Sequence, residues 1–216
     1  MLFYYDSSFV LCYNEPMIKN IVFDIGNVVL GFKPIEYFSM YENGEYVCRQ
    51  IFQCPLWKEY DRGTVKLAEI EAQVTTEMPQ FIDLVHEILD KWMDVLVPLE
   101  TLSYIDVLKS LGYRIFLLSN LSYDAAVYIE ENVDLFQKVD GYVLSCNEKV
   151  IKPEVEIYET LFRRFNIKAE ESIFLDDLEA NIEGAKALGM DGIVVNSPSQ
   201  ALQDLERKLG KEFYVK

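Results

Sequence analysis

Histidine is nearly missing from this chain: His86 is the one histidine among 216 residues. A Ser-His-Asp hydrolase needs an imidazole base and imidazole metal sites need several, so both classes are disfavoured. His86 lies with Asp83, Glu87 and Asp90 on the polar side of an amphipathic stretch, which makes it a solvated surface residue. Cysteine is also sparse. Cys12, Cys48, Cys54 and Cys146 have neither CxxC spacing nor a histidine partner, which argues against zinc and against a disulfide framework, and for reduced thiols in a cytoplasmic protein. Basic residues are few: 20 Lys and Arg against 36 Asp and Glu give a net charge of −16. That balance repels nucleic acid and anionic membrane surfaces, so neither is expected as a partner. No apolar run reaches the roughly 20 residues of a membrane helix.

What is present is a large reserve of core residues. Half of the chain is hydrophobic and 13% is aromatic, enough to bury one sizeable domain with an insertion. Residues 1–16 carry Asp6 and Glu15 and lack the basic start and small-residue cleavage site of a signal peptide. They are read as an N-terminal extension or an upstream mis-start, with the domain beginning at Met17.

Two distant segments each end an apolar run with aspartate: Ile21-Val22-Phe23-Asp24 and Ile173-Phe174-Leu175-Asp176-Asp177. Such runs read as strands buried on both faces, with the acids at their carboxyl ends, where open α/β sheets bind ligands. If the strands are neighbours, three carboxylates converge, and a cation must neutralise them or one must stay protonated. Magnesium is the expected cation.

From about residue 99 strands and helices alternate, the pattern of a parallel sheet with covering helices. Helices are expected at Leu99–Leu111, Ser122–Asn132, Pro153–Asn166, Ala180–Leu188 and Ser199–Leu209. Strands are expected at Arg114–Leu118, Gly141–Leu144, Ile173–Leu175 and Ile193–Val195. The segment from Lys33 to Leu96 interrupts the alternation. Leu67, Ile70 and Val74, and then Phe81, Leu84, Val85, Ile88, Trp92 and Val95, recur at helical spacing, so the insertion is helical. Trp57 and Tyr60 are expected in its core, and Asp61-Arg62-Gly63 in a turn between its helices.

Asp24 after one strand, Ser119-Asn120 after a second, Lys152-Pro153 opening a helix, and Asp176-Asp177 with Asn181 after another resemble the four motifs of the haloacid dehalogenase superfamily. The resemblance covers the chain after Met17. It implies a three-layer Rossmann-like α/β core over residues 17–33 and 97–216 and an inserted α-helical cap over 34–96. The segments around Asp24 and Asp176 look most like the bacterial glucose-1-phosphatase-like branch, with the phosphatase domain of soluble epoxide hydrolase a more distant relative.

The resemblance implies a phosphatase acting on a small phosphorylated metabolite, a sugar phosphate such as glucose 1-phosphate first, and working as a monomer or homodimer. Asp24 would be the nucleophile, forming an aspartyl-phosphate that water hydrolyses. Asp24, the Gly26 carbonyl and Asp177 would hold Mg2+, while Asp176 and Asn181 orient Asp177 and metal-bound water. Ser119 and the Asn120 amide would receive phosphoryl oxygens, and Lys152 would neutralise charge there. Taken singly, each has an ordinary reading: a strand-end aspartate often forms a turn, and Ser119 would serve as a helix cap.

One position departs from the usual pattern. Most phosphatases of this superfamily carry a second aspartate two residues after the nucleophile as general acid, and here that residue is Gly26. General acid catalysis contributes about 10²–10⁴-fold, so its loss implies a preference for good leaving groups, such as an anomeric oxygen. Three other readings compete: a metal-independent dehalogenase, a receiver domain, and a catalytically silent binding protein. A receiver domain is shorter and places its acid pair first.

Overall fold

A computed structural model of the chain describes residues 17–212, so the expectations for residues 1–16 and Cys12 lie outside the described residues. The strands in chain order are β1 (Asn20–Phe23), β2 (Leu30–Gly31), β3 (Val97–Pro98), β4 (Arg114–Ser119), β5 (Gly141–Leu144), β6 (Ser172–Asp176) and β7 (Asp191–Val194). The apolar run before Asp24 is the middle strand of a five-stranded sheet ordered β5-β4-β1-β6-β7, every pair parallel. Val22 lies level with Phe116 on one side and Phe174 on the other. The two acid-bearing strands are therefore adjacent.

Successive side chains point to opposite faces, and the buried residues divide accordingly. Ile21, Phe23, Ile115, Leu117, Ile173 and Leu175 pack on one side with residues of α6 (Thr101–Ser110), α7 (Tyr123–Asn132) and α11 (Pro198–Leu209). Val22, Phe116, Leu118, Val143 and Phe174 pack on the other with α9 (Val155–Phe165) and α10 (Glu179–Ala187). Full burial of one such side chain is worth about 1.5–3 kcal/mol, so a strand apolar on both faces holds two helical layers at once. The result is the expected three-layer Rossmann-like arrangement.

Between β2 and β3 lie only helices: α1 (Pro34–Phe38), α2 (Gly44–Phe52), α3 (Pro55–Arg62), α4 (Leu67–Glu77) and α5 (Ile82–Lys91). Phe52, Trp57, Tyr60 and Trp92 interlock mostly edge to face, with centroids 4.5–6.3 Å apart, a favoured arrangement of aromatic quadrupoles. His86 is exposed and meets Glu71 at 3.1 Å, as its polar surroundings imply.

Several boundaries differ from the sequence reading. The run from Phe81 to Val95 is not one helix: Phe81 ends one 3-10 turn and Trp92–Val95 forms another around α5. The antiparallel ribbon of β2 and β3 was not expected, since two residues per strand leave no period to read. The helix expected from Pro153 begins at Val155, because residues 151–154 form a loop that carries Lys152 inward. The last strand starts at Asp191, two residues earlier than its apolar residues suggest. Cys48, Cys54 and Cys146 are free thiols. Among the described residues no helix is long and apolar enough to cross a membrane.

Candidate active site

Every polar group of interest follows the carboxyl end of a sheet strand. Asp24 comes directly after β1, its amide donating to the Leu175 carbonyl at 2.8 Å. Asp176 ends β6 and Asp177 follows it. Oxygens of Asp24, Asp176 and Asp177 all lie within 4.8 Å of one another. Lys152, 3% exposed, reaches between two of them, with Nζ 2.7 Å from Asp24 Oδ1 and 2.6 Å from Asp176 Oδ2.

The three carboxylates are not equivalent. Asp176 is fully buried and saturated: it accepts from Lys152, from Asn181 Nδ2 at 2.9 and 3.0 Å, and from the Leu178 amide at 2.8 Å. It has little capacity left for a cation. Asp177 is less occupied: its Oδ2 accepts from the Asn27 side-chain amide at 3.0 Å, and its own backbone amide is the other donor to its carboxylate. Asp24 Oδ1 has Lys152 close by but accepts no well-angled hydrogen bond, and the ion pair is the better description of that contact.

Ser119 and Asn120 are brought to the same place and used differently. Ser119 is buried with no hydrogen-bond partner for its Oγ, close enough to Asp24 to favour that residue's ionised form. A buried hydroxyl left unpaired costs free energy unless a ligand completes it. The Asn120 side chain instead clamps the backbone of Lys152, accepting from its amide at 2.7 Å and donating to its carbonyl at 3.1 Å. Ser122, not Ser119, caps helix α7.

Burial pushes the Asp24 carboxyl up to about 7, against the pull of Lys152 and with the push of Asp176. Burial also raises Asp177, opposed by the Asn27 hydrogen bond. For Lys152 burial works against the charge, but Asp24 and Asp176 outweigh it and hold the ammonium above its usual range. Three acids against one lysine leave an excess of negative charge in a buried crevice. A hard divalent cation fits that excess, and Asp24 and Asp177 are the oxygens left to hold it.

Helix α3 closes over this site. A crevice of about 490 Å3 runs between it and the strand ends, with Trp57, Asp61, Asn120, Lys152, Leu178 and Asn181 among its walls. A larger depression of about 1000 Å3 lies at the amino ends of the strands, near Lys19 and Tyr113, and contains none of Asp24, Ser119, Lys152, Asp176 or Asp177. Asp61-Arg62 is not a turn but the end of α3, closed by Gly63 in the left-handed conformation.

A haloacid dehalogenase-like hydrolase family model matches residues 18–189. The chain belongs to that family. As a member it is a hydrolase, and its parallel sheet with helices on both faces is the family's fold. Mouse bifunctional epoxide hydrolase 2 is 38% identical over 80 residues, 37% of this chain and 14% of that protein. The chain thus spans a small part of that relative's length. A D-ribitol-5-phosphate phosphatase of Bacteroides thetaiotaomicron is 27% identical over 188 residues, 81% of this chain and 90% of that one. A solved HAD family enzyme from the same organism, in complex with magnesium and inorganic phosphate, superposes with a TM-score of 0.60 at 24% identity, over 83% of this chain and 95% of that one.

One residue of the site, Asn27, and the side-chain role of another, Asn120, escaped the sequence reading. Asn27 holds Asp177 while its own backbone is left-handed, φ 55°, and its Oδ1 accepts from the Phe32 amide at 2.9 Å. The signal was available, because asparagine tolerates that conformation better than most residues. The Asn120 side-chain clamp had no sequence signal, since its partner lies 32 residues away.

Proposed function

We propose that this hydrolase is a magnesium-dependent phosphatase of small phosphorylated metabolites, with a sugar phosphate such as glucose 1-phosphate the first substrate to test. The supporting observation is a buried carboxylate at a strand end held beside a buried lysine, with a buried serine hydroxyl that lacks a well-angled partner close by. Asp24 attacks phosphorus and the bond to the leaving oxygen breaks, giving an aspartyl-phosphate. Water then attacks that phosphorus, releasing phosphate and restoring Asp24. Ser119 and Lys152 receive phosphoryl oxygens through the developing charge, and Asn120 keeps Lys152 in place. Asp24, the Gly26 carbonyl and Asp177 would hold Mg2+, which would neutralise charge shared by carboxylate and phosphate. Asp176, itself held by Asn181, fixes the Lys152 ammonium, while Asn27 and not Asp176 or Asn181 supplies the hydrogen bond that orients Asp177.

Residues 34–96 act as a cap domain over a core of residues 17–33 and 97–212, with α3 covering the crevice and excluding water. The Bacteroides ribitol-phosphate phosphatase and the magnesium and phosphate complex of a structural relative support this reading. The free thiols accord with a cytoplasmic location.

The test is a screen of phosphorylated metabolites with magnesium, repeated after chelation. Turnover that survives chelation would overturn the magnesium requirement, and halide release from a 2-haloacid with no turnover of any phosphomonoester would favour the dehalogenase reading.

A further inference from the structure

The position of the usual general acid is glycine, yet a carboxyl of α3 shares a crevice wall with Lys152 and Asn181 and lies near enough to Asp24 for their charges to interact. Asp61, at the end of α3, is half-buried in the crevice wall. A carboxylate at a helix C-terminus opposes the helix dipole, so helix stability does not explain its place. Among the described residues no basic side chain pairs with it, although Lys149 and Lys152 are near.

The end of α3 is pinned to the sheet-bearing part of the chain at several points. The Asp61 carbonyl accepts from Ser145 Oγ, and the Gly63 carbonyl accepts from Lys149 Nζ at 2.6 Å. Arg62 donates to both oxygens of Glu154, and Tyr60 Oη donates to Asp124 Oδ2 at 2.6 Å. Gly63, at φ 77°, approaches so closely that a Cβ there would stand 2.7 Å from the Cys146 carbonyl oxygen. These contacts fix the backbone that carries Asp61, and the Ser122 amide donates to its carboxylate.

We propose that Asp61 is a catalytic residue, the acid that protonates the leaving oxygen, and that the substrates therefore include phosphomonoesters of ordinary alcohols. The inference rests on the phosphatase reading above. As Asp24 attacks, the phosphorus–oxygen bond breaks with its electron pair on the leaving oxygen, which takes the proton of Asp61. The Asp61 carboxylate then accepts a proton from the water that attacks the aspartyl-phosphate, and the cycle closes.

The electrostatics agree with a proton donor. Burial, and then the negative charge of Asp24, push the Asp61 carboxyl up to about 8, with the Ser122 amide pulling the other way. The titratable groups around it are Asp24, Lys58, Tyr60, Arg62, Asp124, Cys146, Lys149 and Lys152.

The experiment compares Asp61→Asn and Asp61→Glu with the parent on p-nitrophenyl phosphate and on glycerol 3-phosphate, alongside calorimetric magnesium affinity and melting temperature. The parent should turn over both esters. Asp61→Asn should lose about 10²-fold or more in kcat on the alkyl ester, far less on the aryl ester, with magnesium affinity unchanged. Asp61→Glu should recover part of the alkyl activity. Equal losses on both esters, with an intact melting temperature, overturn the acid assignment and leave the phosphatase intact. A parent inactive on every phosphomonoester overturns the phosphatase reading and this one with it.

Discussion

Arg62 grips Glu154 with two parallel hydrogen bonds of 2.8 Å, joining the end of helix α3 to the loop that carries Lys152. A planar guanidinium matched to a carboxylate fixes orientation as well as distance. The covering helix and the loop lysine are thereby held in one geometry.

Breaking that grip should affect catalysis more than stability. The Glu154 side chain is 38% exposed, so solvent screens the pair and its loss should cost less than about 1 kcal/mol. Glu154→Gln removes the charge and one of the two acceptors. We expect kcat/KM to fall roughly tenfold, because small misplacements of catalytic groups are costly. Steady-state kinetics beside denaturant unfolding separate the two effects. A stability loss with unchanged kcat/KM would mean that the grip is structural only.

Magnesium affinity should depend on Asn27 as well as on Asp177. Asn27→Gly keeps the left-handed backbone accessible and removes the amide that orients Asp177. Loss of such an orienting partner typically costs about 10–100-fold in metal affinity, and Asp177→Asn should cost more. Calorimetric titration of the metal-free protein with MgCl2 measures both. Parental affinity in Asp177→Asn would remove that residue from the ligand set.

Much of this site was legible because strand-end residues are displayed by the strand's own pattern. Four residues, Ile21 to Asp24, identify both a buried strand and the acid it presents, and Ile173 to Asp177 do the same. The adjacency of the two strands was a condition of that reading, and the parallel pairing of β1 with β6 meets it. Groups placed by side-chain reach were not legible. Lys152 was in view, but its bridging of Asp24 and Asp176 depends on a loop that delays the start of α9. The aim of Asp61 depends on the docking of α3 against Ser145, Cys146 and Glu154, which no local period encodes. The segment from Phe81 to Val95 shows the converse error, since its spacing is helical while Phe81 and Trp92 are packed in tighter turns.

The metal-free protein should lose stability as pH rises through neutrality. Asp24 and Asp61 hold protons more tightly folded than unfolded, their carboxyls standing near 7 and 8 in place of 3.8. Unfolding then releases protons, so their contribution is fully present below about pH 4 and declines until about pH 8. Melting temperatures between pH 5 and 8 in chelator should show the decline. Asp24→Asn and Asp61→Asn should each flatten it, and Asp24→Asn should lose at least about 10³-fold in kcat for want of a nucleophile. A parental pH slope in the double variant would mean that neither carboxyl is the source.

Lys152 offers the sharpest separation of folding from chemistry. Lys152→Met removes the cation between Asp24 and Asp176 and leaves the fully buried Asp176 carboxylate without its counter-charge. Removing one partner of a buried ion pair typically costs about 3–5 kcal/mol. Adding Asp176→Asn neutralises the stranded charge, so the double variant should regain a large part of that stability, measured by denaturant unfolding in chelator. Asn181 would have to reorient toward the new amide, which keeps the recovery partial. Activity should not follow stability. Without the ammonium near Asp24, phosphoryl charge is left uncompensated, and kcat should stay depressed in both variants. Recovery of stability without activity identifies Lys152 as both a structural counter-ion and a phosphate-site cation. Recovery of both would reduce it to the structural role alone.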